Sequence, residues 1–318
     1  MLFLNKKGVG WAYGLFAVVS LVKLGLHVSN YNFMGNYHYM VHILSLVFLL
    51  LPHKKIVSKY LIVGFYIAAG FLKINIDWLS GAAMISSPYI SGDFLVTSLY
   101  YVIFLELIFV FGLLHQNRWI RQITLVQFIG FHLFSWHIVG FFYPLVMFSL
   151  LSVFIIDEYF YFKKITTPKD HLLAFFNGKE AKVVYISLSL FTFLQVLPFI
   201  LVADPSLSGS ARLSSLNMFD SKTECHSILI AHTKKGAVHI NKPMKNLGVR
   251  LKCDPLIFLN QAFQLCRKNN EFQELDRLSL SLLSKRVTQT QYKKILDIKD
   301  LCKHSSPLWA EVSNGGTN

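Results

Sequence analysis

Charge is nearly absent from long stretches of this chain between residues 8 and 203, and no other feature limits its folds so strongly. A transmembrane helix needs about 20 consecutive, mostly apolar residues. Apolar runs at 8–28, 38–52, 57–73, 93–115, 119–141, 143–160 and 181–203 predict about seven spans. The second and third runs are short, so their ends are drawn loosely. The first run follows Lys6 and Lys7 but has no small-residue cleavage site and exceeds the apolar core of a signal peptide, so it is read as an anchor. Composition supports the membrane reading: 53% of residues are hydrophobic and only 15% are charged, against about a quarter charged in soluble domains. The same figures argue against disorder, which needs few apolar residues and high charge.

The basic residues are distributed by topology. With a cytoplasmic N-terminus, the cytoplasmic segments hold Lys6, Lys7, Lys54, Lys55, Lys59, Arg118, Arg121, Lys163, Lys164, Lys169, Lys179 and Lys182. The opposite loops, 29–37, 74–92 and 142, hold no Lys or Arg. This is the positive-inside pattern. It places residues 1–203 in a transmembrane helical domain and residues 204–318 in an extracytoplasmic domain, periplasmic if the cell is bacterial. The net charge of +14 is therefore partly an orientation signal. The tail carries 17 Lys and Arg against 10 Asp and Glu, read as a solvated basic surface. It holds no nucleic-acid-binding motif, and the expected partner is the lipid bilayer.

All four cysteines, Cys225, Cys253, Cys266 and Cys302, lie in the tail. An even number in an exported domain predicts disulfides. Three pairings are open, as is a set of free buried thiols; the spacing lacks the Cys-x-x-Cys of a metal site. The tail reads as α+β. A hairpin is predicted over 226–232 and 237–241, a helix from Asp254-Pro255 to about Asn269, and strands over Leu275–Val287 and Tyr292–Ile298. The fold class is thus a multi-span α-helical membrane protein with a small C-terminal α+β domain.

Ionisable residues at membrane depth carry the functional information, because a charge in hydrocarbon costs several kcal/mol. Lys73 ends the third run, just before Asn75 and Asp77. His38 and His42 open the second, four residues apart and so on one helix face. His132 and His137 lie in the second half of the fifth run, and Glu106 lies within the fourth. The proposed topology places Lys73 and these four histidines in the outer half of the bilayer. Each has a purely structural reading as well: Lys73 can snorkel to the headgroups, a membrane histidine can bond neighbouring helices, and Glu106 can pair with Lys23 or a histidine.

The segment Tyr66–Met84 holds Ala69-Gly70-Phe71-Leu72-Lys73 followed by Asp77-Trp78-Leu79-Ser80-Gly81-Ala82-Ala83-Met84. A helix ending in Ala-Gly-x-x-Lys and an Asp-Trp-x-x-Gly-x-x-Met loop resemble the vitamin K-dependent gamma-glutamyl carboxylase family, whose bacterial relatives carry a horizontally transferred transmembrane domain. Further matches follow in chain order. They are Asn36-Tyr37-His38-Tyr39, the acid Glu106, Phe131-His132 with 140–147, and Ser210-Ala211-Arg212-Leu213-Ser214. Asp254-Pro255 through Gln264, the Leu275–Val287 strand and Asp297–Leu301 resemble the family's downstream core. The chain departs from the pattern at Ser215 and Leu216, where the family has Trp and Arg.

By this resemblance Lys73 is the base that deprotonates reduced vitamin K or menaquinol, and His132 is its active-site partner. His38, Asp77, Trp78, His137, Glu106 and Arg212 would line the quinone and substrate site. Oxygen and carbon dioxide would be co-substrates, a glutamyl residue of a peptide or protein the acceptor, and no metal is implied. The 318 residues leave no room for the propeptide-binding sequence of the vertebrate enzymes, so quinol oxidation is implied more directly than carboxylation of a docked protein. The competing readings are a quinol oxygenase without carboxylation, a histidine-ligated haem or metal oxidoreductase, and a non-enzymatic membrane protein that retains the fold.

Overall fold

A computed structural model describes residues 6–29, 37–84, 91–139, 142–160, 179–201, 204–208, 215–216, 222–240, 253–267 and 275–303. Arg212 and the rest of 209–214, and the basic residues Lys163, Lys164 and Lys169, lie outside them. The helices are α1 Lys6–Ser29, α2 Tyr37–Leu50, α3 Lys54–Leu72, α4 Ile76–Leu79, α5 Gly92–Leu107, α6 Arg118–Val139, α7 Phe142–Phe160, α8 Lys179–Leu201, α9 Pro205–Ser208 and α10 Pro255–Arg267. A 3-10 turn, Phe109–Leu114, follows α5.

Among the described residues, four helical segments are long and apolar enough to cross a membrane: Gly8–Ser29, Lys54–Leu72, Gly92–Leu114 and Ala181–Leu201. Their outward surfaces are apolar. Trp11, Leu15, Val18, Leu21 and Val22 on α1 are exposed, as are Ile186, Leu190, Phe193 and Ile200 on α8. Apolar faces this continuous suit lipid rather than water. Of the seven expected spans, these four have spanning length and apolarity among the described residues. The apolar helix Tyr37–Leu50 has 14 residues, about 21 Å at 1.5 Å per residue, short of a hydrocarbon core of about 30 Å. Within α7, which has 19 residues, the stretch Tyr143–Ile156 is apolar. Helix α6 has 22 residues, but Arg118, Arg121, Gln122 and Gln127 dilute it.

The chain folds as two compact units: residues 1–67 with 108–192, and residues 68–107 with 193–318. In the first, Pro52 and His53 separate α2 from α3; His53 takes φ 54° and its carbonyl accepts from Ile56 N at 2.9 Å. Tyr39, Phe65, Tyr66, Phe128 and Met147 are buried at its centre. Phe65 meets Phe191 edge-on at 5.2 Å. Gly64 makes room for that ring, because a Cβ there would lie 3.3 Å from Phe191.

The second unit contains a four-stranded antiparallel sheet in the order β2-β1-β3-β4, with β1 Thr223–Thr233, β2 Gly236–His239, β3 Leu275–Arg286 and β4 Lys293–Ile298. The hairpin turns at Lys234-Lys235, and Gly236 takes φ 131° there, open to glycine without steric cost. Every second residue of β3, Leu278, Leu280, Leu282 and Ser284, is buried, the period-2 pattern of a sheet with one covered face. Helix α10 supplies the cover with Leu256, Ile257, Leu259, Ala262 and Phe263. Asp254 caps it, accepting from Leu256 N at 2.9 Å, and Pro255 fills the first position, where no N–H is needed. The predicted helix and strands are present, with β1 beginning earlier and β2 ending earlier than expected.

Of the three possible pairings, the structure forms Cys225–Cys253 and Cys266–Cys302, and no described cysteine is free. The bridges clip the two ends of α10: one joins its start to β1, the other joins its last turn to the 3-10 turn Leu301–Lys303. With a sequence separation of 28 from Cys225 to Cys253, loop-closure entropy assigns that bridge about 3–4 kcal/mol. The four cysteines of the native protein are expected to resist maleimide until a reductant is added, read by mass shift. Labelling of all four without reductant would contradict both bridges.

Candidate active site around Lys73

The loop after α3 is shaped by one asparagine. Helix α3 tightens at its end, with Lys73 N bonding Gly70 O and Ile74 N bonding Phe71 O, both at 3.1 Å. Asn75 Nδ2 then donates to Leu72 O at 2.7 Å, while Asn75 Oδ1 accepts from Trp78 N at 3.0 Å. The same side chain thus satisfies a carbonyl at the end of α3 and caps the start of α4. Gly81 closes the turn with φ 77°, and its N–H bonds Trp78 O at 2.8 Å. A side chain at that φ would be strained.

This geometry leaves Lys73 buried, 4% exposed, rather than extended toward water. Its Nζ lies 2.5 Å from Glu106 Oε2 on α5, 3.3 Å from Ala69 O and 5.3 Å from the centre of the Trp78 ring. Glu106 is 1% exposed, and its partner is Lys73 rather than the Lys23 or histidine considered from sequence. The close approach of α3 and α5 depends on Gly70. A Cβ there would fall 2.7 Å from Leu107 Cδ2 and 3.2 Å from Glu106 Cβ, inside van der Waals contact.

Asp77 is buried completely. Its Oδ2 accepts from Arg286 Nη1 at 2.9 Å, and its Oδ1 accepts from the Thr288 hydroxyl. The same guanidinium donates from Nε and Nη2 to Asp204, both at 3.0 Å. Trp78 is buried beside Asp77, and its Nε1 points to Leu99 O on α5 at 3.4 Å.

The histidines belong to the first unit. His27 Nδ1 and His42 Nε2 are 2.8 Å apart, and the His27 and His38 rings lie 4.3 Å apart. His132 Nε2 is 2.8 Å from the Tyr66 hydroxyl. A chain of ring contacts joins these groups: His38 to Tyr37 at 4.3 Å, Tyr37 to Tyr143 at 6.3 Å, and Tyr143 to His132 at 5.7 Å. His38, His42 and His132, expected at a common depth, are thus connected within one unit. His137 lies on α6, but its side chain, like Arg212, lies outside the described residues. Among the described residues, no group of three or more His, Cys, Asp or Glu is arranged to hold a metal ion.

Sequence reasoning passed over His27, although an intramembrane histidine is itself a signal. It also passed over Arg286, Thr288 and Asp204, for which no local signal exists: Arg286 is one of 17 basic residues in the tail, and its carboxylate partners are distant in sequence.

No protein-family model, curated protein or solved structure matches the chain.

Removing one member of a buried ion pair strands the other and costs about 3–5 kcal/mol, whereas replacing both by apolar groups can be nearly neutral. Lys73→Met and Glu106→Leu are each expected to lower the melting temperature of the detergent-solubilised protein. The double variant is expected to recover most of the loss. Gly70→Ala is expected to cost about 1–3 kcal/mol by overpacking, relieved by Leu107→Ala; additivity of those two changes would contradict the contact.

Proposed function

We propose that this protein is an integral-membrane, quinol-dependent oxygenase and carboxylase of the gamma-glutamyl carboxylase type, with Lys73 as its base. The observation that carries the reading is a buried amine 2.5 Å from a buried carboxylate, on the segment 66–84 that resembles that family. An isolated charge has no place in hydrocarbon. A pair whose proton can shift between nitrogen and oxygen retains a basic lone pair at that depth. In the ion-pair form the lone pair of Lys73 holds a proton, so Lys73 acts as a base once Glu106 has taken that proton. The amine is then ready to accept the hydroxyl proton of a quinol, and Trp78 offers an aromatic face beside it.

The co-substrate class follows from the setting. A base held among apolar side chains suits a lipid-soluble acid that enters from the bilayer, and reduced vitamin K or menaquinol is such a molecule. When bound, the reduced quinone and oxygen supply the strong base that takes the γ-proton of a glutamyl residue, and carbon dioxide completes the new carboxyl group. His132, held by Tyr66, and His38 would serve proton transfer or hydrogen bonding in that reaction. The proposal includes seven spans, a cytoplasmic N-terminus and an extracytoplasmic C-terminal domain. The Lys and Arg distribution and the two disulfides support that orientation.

Lys73→Ala in native membranes is expected to abolish oxygen-dependent oxidation of menaquinol or phylloquinol. Unchanged quinone epoxide formation by that variant would remove Lys73 from the mechanism. Labelled carbon dioxide is expected to enter a glutamyl peptide. Epoxide formation without incorporation would reduce the reading to a quinol oxygenase, and neither activity in the folded wild type would leave Lys73–Glu106 a purely structural pair.

A further inference from the structure

We infer that Arg286 is a positioning residue of the Lys73 centre: it acts through Asp77 to hold the Asp77–Trp78 turn beside the amine, making the sheet domain part of the site. The inference rests on the reading of Lys73 as the base. Its geometry is internal to the second unit. Asp77 is wholly buried and both its carboxylate oxygens are taken by residues more than 200 positions downstream, Arg286 and Thr288. The remaining donors of the guanidinium take both oxygens of Asp204, in the fork geometry that arginine provides and lysine does not. Asp204 Oδ1 also accepts from Leu207 N at 3.3 Å, which fixes the start of α9. One cation therefore ties three segments: the turn after α3, the residues following α8, and the end of β3.

The turn cannot hold Asp77 in place without that cation. With Arg286 gone, a fully buried carboxylate must either gain a proton or move toward water. Movement of Asp77 carries the next residue, Trp78, whose ring lies 5.3 Å from Lys73 Nζ. It also strains the Ala83 N to Asp77 O bond of 2.8 Å that folds the loop back. The position of Arg286 is itself secured. Cys225 pairs with Ser284, and Thr223 with Arg286, in the β1–β3 register. The Cys225–Cys253 bridge fastens that end of the ladder, where Cys253 Sγ lies 3.5 Å from Thr223 O.

The test uses the full chain in nanodiscs, as wild type, Arg286→Met, Arg286→Lys, Asp77→Asn and the Asp77→Asn/Arg286→Met double variant. Two readouts are taken: menaquinol oxidation, and amide hydrogen exchange over residues 73–84. Arg286→Met is expected to lower kcat about 100-fold, the scale of a 1 Å misplacement at a reacting centre, with little change in KM. Arg286→Lys is expected to fall between it and wild type, because it keeps the charge but not the fork. Exchange over 73–84 is expected to accelerate alike in Arg286→Met and Asp77→Asn, with the double variant no faster than the worse single. A lowered melting temperature with kcat per folded molecule and exchange at 73–84 both unchanged would overturn the inference. Additive losses in the double variant would also overturn it, since Arg286 would then act by a route other than Asp77. If the wild type turns over no quinol, the proposed reaction falls, and the exchange pattern alone decides the role of Arg286.

Discussion

A charged group withdrawn from water must find its counter-charge inside the protein, and this constraint organises the second unit. Two pairs meet it. Lys73 and Glu106 neutralise each other between α3 and the end of α5. Asp77 and Arg286 do so between the following turn and the end of β3. The pairs are separated along the chain by three residues, Ile74 to Ile76, and are linked by Asn75, which bonds to both the helix before it and the turn after it. Neither pair is an efficient source of stability, because desolvation offsets most of the Coulombic attraction. The observed arrangement of these segments gives both Lys73 and Asp77 a counter-charge.

That arrangement has a chemical use in the proposed reaction. A base at membrane depth requires a lone pair that is shielded from water and a neighbour that can hold the displaced proton. In that proposal Glu106 would supply the second requirement, and the buried turn the first. The histidines show a comparable economy in the other unit. Each imidazole bonds or stacks on another aromatic group, so His27, His38, His42 and His132 carry their polar nitrogens inside an apolar bundle. A polar group in that setting is costly only while it lacks a partner.

The C-terminal α+β domain shows how far local sequence reaches. Asp254-Pro255 foretold the start of α10 because capping and the missing proline N–H are one-residue effects. The period-2 leucines foretold β3 because alternation is a property of the strand itself. The pairing of the cysteines was not legible, since any of three sets satisfies the same count, and only the seating of α10 on the sheet brings Cys225 to Cys253 and Cys266 to Cys302. The spans divide similarly. Hydropathy located the apolar helices, and four helical segments among the described residues have the length and apolarity to cross a membrane.

The sequence by itself determined that this chain has apolar helices of membrane-spanning length, an α+β tail that holds all four cysteines, and a lysine placed where charge is expensive. Those are properties of short windows: hydropathy, residue spacing and the energetic cost of one ion. Tertiary structure alone decided the partners: Glu106 for Lys73, Arg286 and Thr288 for Asp77, Tyr66 for His132, and His27 for His42. These pairs are separated by between 15 and 211 positions along the chain. Electrostatic and hydrogen-bonding energies depend on distance in space, which folding sets and sequence separation does not.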